Sequence, residues 1–469
     1  MRRYIGPVIY ITVLVVTLIS VGLVAGAWAF RHVGEGGQRL PKPLGEFVIE
    51  ITKIPSLVRS AFFRLLEGVY GGAPTTLIID QGAGKASPSP PLFFEPADQG
   101  YILLSALDGN RLVSNVRLLK IATGKEVLRW DIDWHTIMDL TQVSRFSAKG
   151  DPRSLRAIHP ILMNDASIIF NTGSVLVRQS VCKAKPDWIL NGIFHHSNEL
   201  ALDGSIWTPS VNTDLIPGYE HPLLREKFRD DALANVSQNG KLLRRISFAS
   251  ILRANGLEHM MFGFNGHTFH ADPIHINQIT PALNDSSFWK RGDLLISARH
   301  LSTVFLYRPD TNKIIWYRTG PWMNQHSAKF VGSRQISVFD NNVFSGNSSI
   351  PPFLNDDATN RVFVVDLVTN ELSQPFEQAL KNARVRTITE GRAQIVSNNR
   401  LFIEETNYGR HLMLSDSSTI WSRLNQVAGS EKLGAVSWSR YIEANEGERF
   451  EVSALTACVT NKGTKNKTK

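Results

Sequence analysis

The sequence predicts an all-β chain that folds as a six-bladed β-propeller, with an N-terminal transmembrane helix in front of it. Three observations predict this: a strand–turn–strand unit recurs six times, few segments after residue 97 have helical periodicity, and the chain begins with a long uncharged apolar stretch. The 469 residues, 43% of them hydrophobic, suffice for a large core, because folds built from repeats exceed the usual domain size. The 24 Phe and 10 Trp exclude disorder for most of the chain.

The apolar stretch runs from Tyr4 to Phe30 without a charge. At a rise of about 1.5 Å per residue it is long enough to cross a hydrocarbon core of roughly 30 Å. This length favours an uncleaved anchor over a secretory signal, although the small residues of VAGAWA leave cleavage open. Basic residues flank both ends, so the charges do not decide the orientation. Residues 1–30 are therefore predicted to be a transmembrane anchor.

Residues 31–96 are interpreted as a linker, because glycine and proline are frequent at its start and QGAGKASPSPP lies near its end. Within it, IPSLVRSAFFRLLE (residues 54–67) has a helical period and predicts a short amphipathic helix, packed on the domain or lying on the bilayer. The propeller is expected over 97–460, with helix confined mostly to the residues before Gly68. Residues 461–469 are predicted to be a disordered basic tail.

The recurring unit is a strand, a turn with Gly or Asn, and a second strand that often closes on Trp. Its six copies predict six four-stranded blades, each copy being the outer hairpin of one blade. They are VRLLKIATGKEVLRW (116–130), LVRQSVCKAKPDW (176–188), ANVSQNGKLL (234–243), VFLYRPDTNKIIW (304–316), RVFVVDLVTNELS (361–373) and HLMLSDSSTIW (411–421).

A second repeated pattern lies between these hairpins. FHHSNELALDGSI (194–206) aligns without gaps on NQHSAKFVGSRQI (324–336), and IHINQI (274–279) fits its first half. The alignment makes His196, His275 and His326 equivalent, with Gly391 at the same position of a fourth copy. His159 joins the set only if its strand contains a bulge. Because the innermost strands of a propeller line one channel, we expect these histidines to converge on the axis.

Three convergent histidines have two chemical interpretations. They suit zinc, which binds three histidines in catalytic sites, but no carboxylate recurs at an aligned position of the repeated pattern. Arg299 follows the apolar run LLIS, which is interpreted as an inner strand, and a guanidinium among histidines favours a sulfate, phosphate or carboxylate ligand. The sequence therefore favours an anion site over a metal site.

Composition narrows the possible partners. The net charge of +9 is consistent with a basic surface, or with attraction of anionic substrates or lipids. Nucleic acid is not expected as a partner, because no basic stripe alternates with aromatic residues. Cys182 and Cys458 are the only cysteines, without zinc spacing, and are either paired or free.

The motifs HINQI, GDLLISARHLSTVFLYRPDTNKIIW, GPWMNQHSAKF, ISVFDNN and EETNYGRHLMLSDSSTIW resemble the arylsulfotransferase (aryl-sulfate sulfotransferase) family over roughly residues 101–438. The resemblance implies a six-bladed propeller exported to the periplasm. It also implies transfer of sulfuryl groups from phenolic sulfate esters to phenols through a sulfohistidine, without a nucleotide donor or other cofactor.

The same resemblance implies roles for individual residues. The QH motif makes His326 the nucleophile, and the other channel residues correspond to His275, Arg299 and the histidine pair, of which the repeat selects His196 before His195. QHSAKF departs from the QHD or QHT forms expected, and NDSSFWKR (284–291) is interpreted as an insertion that reshapes the mouth of the site. The alternative is a non-catalytic, membrane-tethered propeller that binds an anionic ligand or acts as a scaffold.

Overall fold

The computed structural model describes residues 78–79, 100–141, 151–183, 185–212, 228–262, 271–344, 352–355, 357–396 and 399–465, with 78–79 and 455–465 described by their backbone alone. All of these residues belong to one compact unit, Pro74–Lys469. The predicted anchor at residues 1–30 and the predicted helix at 54–67 lie outside the described residues. Within the described residues, no helix is both long and apolar enough to cross a membrane.

The described residues form six four-stranded antiparallel sheets, which confirms the predicted six-bladed propeller. From the axis outward, blade I contains β26 (Arg440–Ile442), β2 (Tyr101–Leu107), β3 (Ser114–Lys120) and β4 (Glu126–Trp130). Blade II contains β5 (Ile158–Leu162), β6 (Ile168–Asn171), β7 (Leu176–Gln179) and β8 (Trp188–Leu190). Blade III contains β9 (Glu199–Leu200), β10 (Ile206–Asn212), β11 (Asp230–Val236) and β12 (Leu242–Ser247).

The other three blades follow the same order. Blade IV contains β13 (Ile276–Pro281), β14 (Leu294–Ala298), β15 (Thr303–Arg308) and β16 (Lys313–Thr319). Blade V contains β17 (His326–Val331), β18 (Gln335–Asp340), β19 (Arg361–Asp366) and β20 (Leu372–Ser373). Blade VI contains β21 (Arg392–Val396), β22 (Arg400–Glu405), β23 (Arg410–Leu414) and β24 (Thr419–Leu424). All six repeated units lie on the two outer strands of a blade, as the sequence predicts.

The ring closes through strands from opposite ends of the propeller. The C-terminal strand β26 is the innermost strand of the blade that β2 begins, with Tyr101 paired to Ile442 and Leu103 to Arg440. A short strand β1 (Ile78–Ile79) also pairs with β25 (Leu433–Gly434), so strand pairing begins before residue 97. Closure of this kind removes the exposed edges that an open sheet would present.

The hydrophobic core lies between the blades. Each of the six main clusters joins two neighbouring blades, and β15 shows how one strand supplies two of them. Phe305 and Tyr307 enter the cluster shared with blade III, whereas Val304 and Leu306 enter the cluster shared with blade V. Since successive side chains point to opposite faces and both faces are buried, this strand is apolar throughout.

The described residues contain more helix after Gly68 than the sequence predicts. The described chain contains α1 (Trp134–Leu140), α2 (Phe248–Ala254), α3 (Glu377–Asn382) and α4 (Ala444–Lys465). The first three are turns of helix in the connections that follow β4, β12 and β20. Asp133 and Ser247 cap the first two by accepting hydrogen bonds from Thr136 N and Ser250 N. They are too short to produce a clear helical period.

Helix α4 runs through residues 461–465, which the sequence analysis assigned to a disordered tail. Residues 466–469 lie outside the described residues.

Cys182 is in a disulfide bond, and the sequence contains one other cysteine, Cys458.

Candidate functional site

One residue at or near the start of each innermost strand has a left-handed backbone. These residues are His159, His196, His275, Ser327, Gly391 and Trp438, with φ between 50° and 96°. A side chain larger than glycine costs about 1–2 kcal/mol in this conformation, and such strain concentrates at functional sites. Five of the six positions accept that cost, and four of those five carry a histidine or a tryptophan. The conformation therefore points to a site on the axis.

His326 begins β17 and is almost fully buried. Its Nδ1–H donates to Oδ1 of Asn341 at 2.6 Å, because the amide nitrogen of Asn341 in turn donates to the carbonyls of Thr387 and Glu390. These two bonds fix the orientation of the Asn341 amide and assign the tautomer of His326. The lone pair of His326 is therefore on Nε2.

Burial, together with the charge of Arg299, lowers the pKa of His326 to about 3. The hydrogen bond to Asn341 acts in the opposite direction but is outweighed. His326 is therefore neutral near pH 7, which is the form in which an imidazole is a nucleophile. The preceding residue, Gln325, holds the strand in place: its amide nitrogen donates to Ser297 Oγ and to the Ala298 and Thr303 carbonyls, each at 3.1 Å.

His196 lies at the centre of the histidine cluster, with its ring centroid 5.0 Å from that of His275 and 6.3 Å from that of His326. Its Nδ1 is 2.7 Å from Nδ1 of His195, so one of these two nitrogens must donate to the other. His195 Nε2 faces Asp231 Oδ1 at 3.4 Å without forming a well-aligned hydrogen bond. Burial, followed by the neighbouring His195, lowers the pKa of His196 well below its ordinary value, so this ring is neutral.

His275 has a carboxylate partner, which the repeated pattern did not reveal. Its Nδ1–H donates to Asp272 Oδ2 at 2.6 Å. Burial alone raises the pKa of Asp272, but the bond from His275 and the charge of Arg229 lower it to about 2. Asp272 is therefore ionised near pH 7, and its carboxylate fixes the orientation of the His275 ring.

Arg299 reaches the cluster from a different strand than predicted. The run LLISA is β14, the second strand of blade IV, and Arg299 follows it in a single turn of 3₁₀ helix. The end of β14 lies beside the start of β13, because Ala298 pairs with Ile276. Arg299 Nη1 donates to His300 Nε2 at 2.7 Å, and the His300 ring is 4.3 Å from the His275 ring. His326, His275, His196, His195 and Arg299 are thus brought to one end of the channel.

Trp438 forms the floor of this cluster. Its ring lies 5.7 Å from His196, 6.4 Å from His326 and 6.2 Å from His159. Buried Glu404 holds its strained backbone, since the Glu404 carboxylate accepts from Trp438 N at 2.7 Å and from Ser439 N at 2.5 Å. Phe194 and Trp322, two aromatic residues close to the histidines in the sequence, lie fully buried in clusters between blades.

Beneath Trp438, every innermost strand contributes one polar residue to an axial network. Glu199 is its centre: it binds Lys329, accepts from Arg440 Nη1 at 3.0 Å, and accepts from Gln278 at 3.0 Å. His159 completes it, with Arg440 Nη2 2.8 Å from Nδ1 and Arg392 Nη1 3.1 Å from Nε2. The bulge that His159 required is present, since the register of β5 shifts between Ile158 and Ile161.

The charges of this axial network act strongly on each other. Burial by itself raises the pKa of Glu199, but Arg440 and Lys329 hold the pKa well below its ordinary value. Burial, reinforced by Arg392 and Arg440, lowers the pKa of Lys329 to about 7 despite its contact with Glu199. Burial, followed by Arg440, lowers the pKa of Arg392 to about 9. The network is therefore rich in positive charge.

Within the described residues, Asp272, His275 and His300 are the group close enough together to hold a metal ion. Their atoms are engaged otherwise: His275 Nδ1 donates to Asp272, and His300 Nε2 accepts from Arg299. A guanidinium beside a ligand nitrogen repels a cation. The arrangement therefore fits an anion better than a metal ion.

The insertion NDSSFWKR lies far from this cluster. It belongs to the connection between β13 and β14, whereas the cluster lies at the start of β13 and the end of β14. Its Trp289 is buried and packs against Phe330 with ring centroids 4.6 Å apart. The insertion therefore shapes the opposite end of the propeller, not the mouth of the histidine cluster.

The propeller axis thus holds buried neutral histidines beside an arginine, an arrangement that fits an anionic group. The family model described as Arylsulfotransferase (ASST) matches residues 176–425, more than half of the chain. The chain belongs to the arylsulfotransferase family, as its motifs predict. No curated protein matches it.

Solved structures are only distantly similar to this chain. A protein of unknown function from Bacteroides caccae is 12% identical, with a TM-score of 0.43, and the match covers 74% of this chain and 99% of that one. A nidogen/laminin complex matches at 9% identity and a TM-score of 0.40, over 74% and 99%. TolB from Acinetobacter baumannii matches at 10% identity and 0.37, over 75% and 68%. None of these similarities bears on the activity of this chain.

Proposed function

We propose that this protein is an arylsulfotransferase that moves a sulfuryl group from a phenolic sulfate ester to a phenol through a sulfohistidine on His326. Family membership supports a transferase of this class. The observation that carries the finer proposal is the hydrogen bond from His326 Nδ1 to Asn341, which leaves the lone pair on Nε2 of a ring that lies near His196 and is influenced by the charges of Arg299 and His275.

In the first half-reaction, His326 Nε2 attacks sulfur and the bond between sulfur and the phenolic oxygen breaks. The sulfonate oxygens carry the charge of the loose transition state, so positioning and electrostatic stabilisation dominate, as in phosphoryl transfer. Arg299 supplies that stabilisation. His275, which Asp272 orients, gives a proton to the departing phenolate.

In the second half-reaction, an acceptor phenol takes the place of the first product. His275, now neutral, takes the proton of the acceptor hydroxyl, whose oxygen attacks sulfur as the bond between sulfur and Nε2 breaks. His326 returns to its neutral form, and the sulfuryl group leaves on the acceptor. Two products leave in separate steps, so the kinetics are ping-pong.

Turnover of a chromogenic aryl sulfate in the presence of a phenol tests this function. We expect release of the chromogenic phenol to depend on the acceptor, with parallel lines in double-reciprocal plots. His326→Ala should lose both donor cleavage and acceptor sulfation. Tight binding of the aryl sulfate without turnover would instead support a non-catalytic binding propeller.

We further propose that the propeller is extracytoplasmic and that residues 1–30 anchor it in a membrane. The uncharged segment from Tyr4 to Phe30 and the exported location implied by the family resemblance support this placement. The net charge of +9 also favours the approach of an anionic sulfate donor.

A further inference from the structure

The seam between blade VI and blade I contains a second cationic site, far from the histidine cluster. A cavity of about 280 Å³ opens there, lined by Leu119, Lys120, Ile121, Trp421 and Arg423 among others. This volume is close to the lower end of small-ligand pockets, about 300 Å³. The cavity lies near the start of β2 and the end of β3, whereas Trp438 and the histidines lie near the end of β2.

Two arginines lie at this seam, Arg423 in the lining of the cavity and Arg117 on β3 outside that lining. Arg117 pairs with Leu104, whose side chain is in the cluster between blades VI and I, so Arg117 points to the same face. Arg423 lies two residues after Trp421, which packs against that cluster. The two guanidiniums are close enough that the charge of Arg117, after burial, lowers the pKa of Arg423 to about 10.

The donors of these arginines are not satisfied. Nε and Nη2 of Arg117 and Nε of Arg423 are buried and have no hydrogen-bond partner among the described residues. The nearby carboxylate of Asp108 is already bound by Arg129 at 2.6 Å and by Asn115 at 2.9 Å. Buried charged donors left unpaired are costly, and an absent ion is one ordinary reason for finding them.

We propose that this seam binds a small organic anion, whose acidic headgroup lies against Arg423, with the charge of Arg117 nearby, and whose apolar or aromatic part lies against Leu119, Ile121 and Trp421. A guanidinium pairs with a carboxylate, sulfate or phosphate through parallel hydrogen bonds. The apolar wall excludes a bare inorganic ion as the preferred ligand. The ligand would join the first outer hairpin to the last blade, so its binding stabilises the closed ring.

Benzoate is a suitable probe, and benzyl alcohol is its neutral counterpart. We expect saturable binding of benzoate by calorimetry and a rise in Tm that benzyl alcohol does not reproduce. Arg423→Gln should weaken benzoate binding by about tenfold or more, since it removes a charged hydrogen bond. Arg117→Gln should weaken it less, because Arg117 acts only through its charge and does not line the cavity. Arg178→Gln is the control, because Arg178 binds Asp165 on the outside of blade II.

Arg423→Leu separates a ligand-binding role from a structural one. Without an anion, it removes a buried unpaired charge beside a like charge, so we expect its Tm to equal or exceed that of the wild type. A lower Tm in every buffer would instead show that Arg423 supports the fold, and would overturn the proposal. The same applies if benzoate binding is unchanged in Arg423→Gln.

Crystals soaked in 4-bromobenzoate locate the ligand directly. We expect an anomalous bromine peak in the seam, and expect it to remain in Arg299→Gln, which weakens anion binding at the histidine cluster. A peak confined to the histidine cluster, or no peak, would contradict the proposal. Neither outcome depends on whether the protein transfers sulfuryl groups, so the two proposals fail separately.

Discussion

The chemistry expected of His326 depends on one amide that is itself held by two backbone carbonyls. Asn341 lies at the end of β18, one strand outward from His326, and both residues are buried. Its hydrogen bond keeps the proton on Nδ1 and the lone pair on Nε2. A buried amide in this role orients the imidazole without adding a charge that would repel a sulfate ester.

Asn341→Ala should therefore lower kcat by roughly 10²–10⁴-fold, the range seen when a catalytic histidine loses the partner that fixes its tautomer. KM should change little, because Asn341 does not touch the substrate. Steady-state kinetics with a chromogenic aryl sulfate measure this. Asn425→Ala is the matched control, since Asn425 is a buried amide that donates to the Leu107 and Gly434 carbonyls away from the site. Equal losses of kcat in both variants would assign Asn341 a structural role only.

Arg299→Gln should lower kcat by roughly 10²–10³-fold, by analogy with loss of an oxyanion-stabilising donor. It should also change the pH profile. The positive charge of Arg299 is the second-largest influence that lowers the pKa of His326, so removing it raises that pKa. A raised pKa means that His326 is protonated, and inactive, at a higher pH. The acid limb of kcat/KM should therefore move to higher pH, and an unmoved limb would show that Arg299 does not act on His326.

Among single residues, the sequence predicted that the histidines converge on the axis, but not which residues bind them. The pattern that aligns His196 with His326 comes from repetition, so residues that recur in it were visible. Glu199, Gln278 and Lys329 each lie three residues beyond one of the aligned histidines, and this spacing would have shown the axial network. Asp231 and Asn341 were missed because they come from neighbouring strands that the repeat does not align.

The backbone conformation just before an innermost strand restricts which residue can occupy that position. Gly391 precedes β21 and has the position that histidine has in three other blades of the repeat, with φ of 96°. A Cβ at Gly391 would lie 2.6 Å from Thr387 Cγ2 and 2.7 Å from Phe339 Cε1. Glycine is therefore required by packing here, which explains why the pattern loses its histidine in blade VI.

Gly391→Ala should lower the free energy of unfolding by about 2–4 kcal/mol, since it combines a strained backbone with overpacking. Denaturation by urea measures this. Gly256→Ala is the control, because Gly256 also has a left-handed backbone, φ of 72°, but nothing lies within 4 Å of an added Cβ. It should cost about 1 kcal/mol. If the two variants were equally destabilised, the close packing around Gly391 would not matter.

At the scale of elements, the sequence predicted the outer hairpins but not the helices. The hairpins were visible because their turn residues and closing tryptophans recur at each blade. Helix α2 was missed because it spans seven residues and follows β12 directly, so its apolar residues Phe248, Ile251 and Leu252 read as part of a strand region. Helix α4 was missed because its first part was included in the propeller and its last residues, 461–465, belong to the basic stretch predicted to be a tail.

The whole ring is tied together at its axis by Glu199, which contacts residues of blades I, IV and V. Neutralising Glu199 removes the carboxylate that compensates the positive charges of Lys329, Arg392 and Arg440. Glu199→Gln should therefore lower the free energy of unfolding by about 3–5 kcal/mol at pH 7, as expected when one partner of a buried ion pair is removed. Urea denaturation measures this, and Glu258→Gln, an exposed pair with Arg253, should cost no more than about 1 kcal/mol.

The pH dependence of that stabilisation has a definite sign. The pKa of Glu199 is lower in the folded protein than its ordinary value of 4.5. Its stabilisation is therefore fully present above that value and is lost as pH falls towards the folded pKa. Glu199→Gln should remove this part of the acid destabilisation. Adding Lys329→Met to Glu199→Gln should restore part of the lost free energy of unfolding at pH 7. If none is recovered, the positive charge of Lys329 does not destabilise the axial network.

The predicted anchor is testable on the whole chain. A reporter fused after Lys469 should be active only outside the cytoplasm, and deletion of residues 1–30 should release the protein from the membrane fraction. A reporter active in the cytoplasm would reverse the proposed location.

The most direct test of the proposed sulfohistidine mechanism is to trap the sulfuryl group on the protein. The wild-type protein is incubated with an aryl sulfate without acceptor, quenched in base because the adduct is acid-labile, and mapped by peptide mass spectrometry. In the wild type we expect a sulfuryl group on His326 that is lost when a phenol is added. We expect no adduct in His326→Ala, and an adduct that forms slowly on His326 in Arg299→Gln. Turnover without any adduct on His326, or an adduct on another residue, would contradict the mechanism.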